Sequence, residues 1–246
     1  QARLDLLQKQ EQKMPAQQTY PEDVAPNNIE GVNERHFALT LLLDTSGSME
    51  GKPINSLNNE LNNLIQQLQS DSHADVIDIS IVTFGTSVNV IMPFTPASSI
   101  DHRFELSPSG LTSMGQGLLK AAEITNERRR QYYNIGVPAF KPWIFMITDG
   151  EPTDPDNIMQ LAKQELITLQ QSGKLKLFVL GVEGYNLEKI RELVYYDGCI
   201  LELEGFDFKE IIDWVAKSVA IVSHSSPGEN PSSDPLPRNV RVVGLQ

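Results

Sequence analysis

Cysteine is almost missing from this 246-residue chain, with Cys199 its single copy. A disulfide within the chain and a cysteine cage for a metal are both excluded, and a lone thiol fits a reducing, cytoplasmic compartment. Basic residues are also short: 20 Lys and Arg stand against 32 Asp and Glu, for a formal net charge of −12. An acidic surface repels phosphate backbones and anionic lipid headgroups, which argues against nucleic acid and membranes as partners. No apolar run approaches the roughly 18 residues that span a bilayer. The opening segment QARLDLLQKQEQKMP has no apolar stretch of the kind a secretion signal carries. Histidine is scarce too: His36, His73, His102 and His224 stand at no metal-pair spacing, so each is expected on the surface or in a loop. A G-x-S-x-G elbow is absent, which speaks against a serine hydrolase.

What is present suffices for one main domain, since 40% of residues are hydrophobic and 21% charged. Residues 1–35 read as a polar extension, with a short helix over 1–15 and a Gln-, Pro- and Asn-rich linker after it. Residues 36–223 read as the folded domain, and 224–246 as a Ser- and Pro-rich tail in which 238–245 could dock back as a strand. Within the domain, FALTLLLD (37–44), WIFMIT (143–148) and LKLFVLGV (175–182) are continuous apolar runs of the buried parallel-strand kind. VIDISIVTFG (76–85) alternates as a strand does, with TSVNVIMPF (86–94) as its hairpin partner across Gly85. CILELEG (199–205) is expected at the sheet edge. Helical spacing appears over 54–68, 114–130, 155–169, 186–194 and 208–222. Strands alternating with helices predict an α/β fold with a mainly parallel sheet. Trp143, Trp214 and Cys199 are expected in the core, and Arg128 to Arg130 on a solvated helix face.

In open α/β sheets ligands bind at the carboxyl ends of the strands. Two buried strands end there in a carboxylate, Asp44 and Asp149. Asp44-x-Ser46-x-Ser48 then sets one carboxylate and two hydroxyls on alternate positions of a loop, with Gly47 permitting the turn. Thr112, just before a helix, can add a third hydroxyl. This all-oxygen set suits a hard divalent cation, Mg²⁺ or Mn²⁺, more than Ca²⁺, which takes more ligands and more carboxylates. Asp154 is expected to cap the helix that starts at Pro155, and Glu151 to add negative field. Met49, Glu50, Thr86 and Met114 are expected on the rim that a partner would touch.

With DTSGS (44–48), Thr112 of GLTSMG and Asp149 of TDG (148–150), the chain resembles the von Willebrand factor A domain over roughly 37–222. That resemblance implies a Rossmann-like, open twisted, mainly parallel sheet with one antiparallel edge strand and helices on both faces. It also implies a metal-ion-dependent adhesion site, with Ser46, Ser48 and Thr112 on the ion and Asp44 and Asp149 acting directly or through water. The implied function is non-enzymatic protein binding, a partner's Asp or Glu completing the metal shell. FALTLLLDTSGSMEGKPI (37–54), ISIVTF (79–84) and KPWIFMITDGEPTD (141–154) look more narrowly like the bacterial TerY-like, tellurium-resistance branch. That branch implies a cytoplasmic stress-response scaffold with kinase-like or phosphatase-like partners.

Two other readings compete. A phosphotransferase of the haloacid dehalogenase type would use Asp44 as nucleophile and Lys141 as phosphate ligand. It requires a general acid at position 46, where Ser46 stands. A subunit of an AAA+ chelatase-like machine would use the same domain with a different partner.

Overall fold

The computed structural model describes residues 34–195, 199–226 and 236–243. The expected helix at 1–15, its linker and most of the tail lie outside the described residues, as does the Cys199 side chain. In chain order the elements are β1 (Phe37–Asp44), α1 (Lys52–Gln69), β2 (Ile77–Phe84), β3 (Val88–Pro96), α2 (Met114–Asn134), β4 (Trp143–Thr148) and α3 (Asp156–Gln171). They continue with β5 (Lys176–Gly181), α4 (Leu187–Arg191), β6 (Cys199–Leu203), α5 (Lys209–His224) and β7 (Val240–Val243).

The described residues form one seven-stranded sheet in the order β3-β2-β1-β4-β5-β6-β7. The five central strands run parallel, and β3 pairs antiparallel with β2 across the turn at Gly85. β6 is not an edge, because β7 docks antiparallel on it, Val240 opposite Leu203. Both edges of the parallel sheet therefore end in an antiparallel strand.

β1 is buried along its whole length, and its side chains alternate between two helical layers. Leu39, Leu41 and Leu43 pack with Leu57, Leu61 and Leu64 of α1 and with Ile211, Val215 and Val219 of α5. Leu42 faces the other way, among Met114 and Leu118 of α2 and Leu166 of α3. Each such leucine contributes about 1.5–3 kcal/mol on burial. Trp214 is buried and Trp143 packs half-buried against the same core. α1 starts at Gly51, whose φ of +85° suits glycine, with Pro53 in its first turn. Asn58 and Asn62, four residues apart on α1, face the extended segment at 104–106. Asn58 donates to the Leu106 carbonyl (2.9 Å) and accepts from its amide (2.6 Å), and Asn62 does the same with Phe104 at 2.9 Å each way. That segment obtains from two amide side chains the pairing a neighbouring strand would give it.

At the amino end of the sheet, two expectations are overturned. His36 and Arg128 are not surface residues but are 0% and 5% exposed, around the buried Asp78. Asp78 is bonded to His36 Nδ1 (3.1 Å), is ion-paired with Arg128 (3.1 Å), and accepts from the Tyr132 hydroxyl. Helical periodicity explains Arg128: with Thr125 and Tyr132 it lies on the face of α2 turned to the sheet. Thr125 on that face meets Thr40 of β1 at 2.6 Å.

Candidate functional site

The parallel register sets Leu43 beside Ile147, so the next residues, Asp44 and Thr148, end neighbouring strands together. Thr148 donates its hydroxyl to Asp44 Oδ2 (2.6 Å), and the Ser46 amide donates to Asp44 Oδ1 (2.8 Å). Ser46 and Ser48 hydroxyls lie 3.0 Å apart, and Ser48 donates to Asp149 Oδ1 (2.7 Å). Four of the five expected residues thus form one connected set. Thr112 joins it from the opposite loop. A Cβ placed on Gly150 would lie 3.3 Å from Thr112 Oγ1 and 3.4 Å from Asp44 Oδ2, so the bare backbone there keeps room between the two oxygens.

Main-chain hydrogen bonds lace the supporting loops together. The Thr45 amide donates to the Phe84 carbonyl (2.7 Å), Ser109 to Thr45 (2.7 Å), Gly47 to Gly110 (3.1 Å) and Ser113 to Gly85 (2.9 Å). The Thr112 amide donates to Thr153 Oγ1 (3.0 Å), while the Thr153 amide donates back to the Thr112 carbonyl (3.0 Å). Gly47 does not take a left-handed backbone. It sits in a 3-10 turn, and its smallness serves the close approach of the Gly110 carbonyl, 3.3 Å from where its Cβ would be. Gly110 is the residue that needs glycine's freedom: φ is +57°, and a Cβ would meet Thr86 Oγ1 at 2.0 Å.

Burial raises the pKa of Asp44 despite the hydrogen bonds from Ser46 and Thr148, and the charge of Asp149 raises it further. Burial likewise raises Asp149 against the bond from Ser48. Among the described residues neither carboxylate is ion-paired with a cationic side chain, the one near the cleft, Lys189, being taken by Glu151. Two close carboxylates with only hydroxyl and amide donors around them, and room left by Gly150, fit a hard divalent cation. Asp44 and Asp149 would hold it together with the hydroxyls of Ser46, Ser48 and Thr112.

Several neighbouring residues take other roles than expected. Asp154 does not cap its own helix. Its carboxylate accepts from the amides of Gly115 (2.8 Å) and Gln116 (3.1 Å), capping α2 from across the site, where Ser113 makes no side-chain cap. Glu151 turns to Lys189 and Asn186, at 3.1 Å each, and these contacts lower its pKa. Met49 and Met114 are not on the rim: both are 0% exposed, anchoring their loop and helix in opposite core layers. Glu50 and Thr86 are exposed as expected. Sequence reasoning missed Leu111, 57% exposed between Gly110 and Thr112, and Glu183 and Phe206, which line the open cleft with Ser48 and Asp149. It also missed Thr148, although a hydroxyl beside a strand-end carboxylate was a readable signal.

The sequence profile of the von Willebrand factor type A domain matches residues 38–212. The chain is 27% identical over 172 residues to inter-alpha-trypsin inhibitor heavy chain H1 of Mesocricetus auratus. It is 26% identical over 170 residues to heavy chain H2 of Homo sapiens. Each match takes in 67% of this chain but 17% of the relative, so the chain spans a small part of those proteins. Among solved structures it resembles a von Willebrand factor type A protein from Catenulispora acidiphila (TM-score 0.56, 14% identity, 76% of this chain and 43% of that one). It also resembles the pilus adhesin SpaC from Lactobacillus rhamnosus GG in its open conformation (TM-score 0.60, 13% identity, 77% and 30%). At such identities the likeness is one of fold.

Proposed function

We propose, from the premise that the chain belongs to the von Willebrand factor type A domain family, that it is a non-enzymatic, metal-dependent protein-binding domain. Mg²⁺ or Mn²⁺ is held by Asp44, Ser46, Ser48, Thr112 and Asp149, and a partner's Asp or Glu side chain completes the shell. The observation that carries this reading is the pair of shielded carboxylates, Asp44 and Asp149, without an ion-pair partner among the described residues. Such a pair is costly to keep ionised unless a cation joins it. The cation supplies an electrophilic point for a carboxylate oxygen, and the exposed Glu50, Thr86 and Leu111 around it select the partner.

Relatives named as inhibitor heavy chains favour binding over turnover. The TerY-like branch, its cytoplasmic stress-response setting and its kinase-like or phosphatase-like partners rest on the likeness of a few segments alone. No helix among the described residues is long and apolar enough to cross a membrane. The phosphotransferase reading is disfavoured on geometry. Lys141 precedes β4 while Asp44, the nucleophile of that reading, lies beside its far end at Thr148, and the six residues of β4 put about 20 Å between the two.

The test is calorimetric titration of Mg²⁺ and of Mn²⁺ into chelator-treated protein, wild type against Asp44→Ala and Asp149→Ala, with circular dichroism to confirm folding. One site per chain in wild type, weakened at least about tenfold in both variants, is expected. Equal binding by Asp44→Ala would place the ion elsewhere and end the proposal. Capture of a carboxylate-bearing partner should then be lost with chelator and with Asp44→Ala.

A further inference from the structure

The turn after α1 and the last residue of α5 bring together three side chains that lie far apart in sequence. Asp71 and His73 come from the turn, and His224 ends α5, 153 residues from Asp71. One ligand atom from each of the three lies within 4.8 Å of the others. His224 Nε2 is 2.8 Å from Asp71 Oδ1, His73 Nδ1 is 3.8 Å from the same oxygen, and the two imidazole rings lie 4.0 Å apart. Asp71 is held in place by the His73 amide (2.8 Å), and Ser72 Oγ stands 3.1 Å from His73 Nδ1.

We infer that Asp71, His73 and His224 form a second cation site, for a borderline divalent transition ion such as Zn²⁺, which staples the end of α5 to the end of α1. The donor set decides the kind of ion. Two imidazoles and one carboxylate suit Zn²⁺, whereas Mg²⁺ and Ca²⁺ prefer all-oxygen shells. Zn²⁺–ligand bonds of about 2.1 Å in a tetrahedron put ligand atoms roughly 3.4 Å apart. The observed separations bracket that value, so side-chain rotation is enough to assemble the shell. An aspartate's ordinary pKa of about 3.9 makes Asp71 a carboxylate ligand at neutral pH. Asp71 is 14% exposed and the two histidines 36% and 43%. The site can be reached from water and has room for a further ligand.

Its place in the fold separates it from the candidate Mg²⁺ site. α1 begins beside the 44–50 loop and runs 18 residues, about 27 Å, before reaching Asp71. Along the way Gln67 donates to Asp213 of α5 (2.7 Å), so the two helices already touch about three turns before His224. An ion there would cross-link the first and last helices of the domain and resist the parting of α5 from it.

The experiment is a Zn²⁺ titration of the full chain against a chromophoric chelator, with Mg²⁺ saturating throughout. Wild type is compared with His73→Ala, His224→Ala, His102→Ala and Asp44→Ala. One Zn²⁺ per chain is expected, weakened at least about tenfold by either His73→Ala or His224→Ala. Asp44→Ala and His102→Ala should leave it unchanged. Zn²⁺ should also raise the Tm of wild type and not of His224→Ala, whose side chain is 43% exposed. No Zn²⁺ uptake by wild type, or equal affinity in His73→Ala and His224→Ala, would overturn the inference. Loss of Zn²⁺ binding in Asp44→Ala would overturn it too, by moving the ion to the Mg²⁺ site.

Discussion

Replacing Asp78 by Ala removes the acceptor at the centre of the buried group at the amino end of the sheet. Asp78 is fully buried, and Arg128, at 5% exposure, is its ion-pair partner at 3.1 Å. The substitution leaves the guanidinium without its carboxylate and takes the partner from both His36 Nδ1 and the Tyr132 hydroxyl. Breaking a buried pair by deleting one member costs about 3–5 kcal/mol, and a single orphaned donor about 1–3 kcal/mol. These costs overlap, because Arg128 Nε already reaches the Tyr132 oxygen at 3.3 Å and can tighten on it. About 4–5 kcal/mol is therefore expected, a large part of the 5–15 kcal/mol that holds a typical domain. The assay is urea unfolding followed by circular dichroism, reading the midpoint at unchanged m. A companion variant, Asp78→Leu with Arg128→Met, removes both charges and should recover the part of the loss that comes from the unpaired guanidinium, while His36 Nδ1 and the Tyr132 hydroxyl stay without their acceptor. A loss below about 1 kcal/mol in Asp78→Ala, or a double variant no better than the single, would refute the assignment of a buried, mutually dependent charge group.

Three further outcomes follow from the same geometry. Asp44 and Asp149 have raised pKa values, so without divalent cation the folded state holds protons that the unfolded state gives up. Stability from these groups is greatest below the unfolded carboxylate value of about 3.9 and falls as pH rises through the folded value. In chelator, the stability of wild type relative to Asp44→Asn should accordingly fall between acid and neutral pH in urea titrations, and saturating Mg²⁺ should offset that fall; a relative gain toward neutral pH would contradict it. Gly110→Ala, at φ +57° and with its new Cβ 2.0 Å from Thr86 Oγ1, should cost about 1–3 kcal/mol and weaken Mg²⁺ in calorimetry. Thr86→Ala should restore part of both, and no restoration would mean the clash is not the cause. Asn58→Ala strips both main-chain partners from Leu106 and should lower the urea-derived stability by about 1–3 kcal/mol, with faster amide exchange at Leu106; unchanged exchange would count against the clamp.

The sheet was legible because buried parallel strands are nearly continuous apolar runs, and FALTLLLD and WIFMIT coincide with β1 and β4. The oxygen cluster was legible for a related reason: a carboxylate ending such a run must lie at the carboxyl edge, where neighbouring loops converge. What failed was long-range partnering. Met49 and Met114 follow site residues in sequence, yet helical rotation turns each inward. His36 and Arg128 look polar and therefore external, because nothing local announces that Asp78 waits on β2 to receive them. Asp154 precedes a helix and has a capping side chain, but the helix it caps is α2, some forty residues earlier. His73 and His224 show no metal spacing because a fold, not a motif, makes them neighbours. Local patterns specify which face of an element is buried; they carry no address for the partner on the other element.

The candidate site divides its work between backbone and side chain. The frame is main chain: Thr45 to Phe84, Ser109 to Thr45, Gly47 to Gly110 and Thr153 to Thr112 are hydrogen bonds between loops, and none uses a candidate ligand side chain. The candidate ligands instead bond to one another, Ser46 to Ser48 and Ser48 to Asp149. Ser48 gives its proton to Asp149 and accepts one from Ser46, which leaves Ser48 one lone pair and Ser46 two. Ser46 and Ser48 can therefore offer oxygen to a cation while the loops beneath them stay fixed. The frame is thus ordered without a cation, and under the proposed function the ordering entropy that would weaken its binding has been spent in folding. Leu111 and Thr86 sit on the same laced loops, Leu111 donating its amide to Thr86 Oγ1 at 3.1 Å. The side chains proposed to choose a partner are thereby held at fixed positions relative to the carboxylates that would hold the ion. Under that proposal a substitution at Leu111 or Glu50 would change selectivity without disturbing a bound metal, because neither contributes an atom to the frame's link with Asp44 or Asp149.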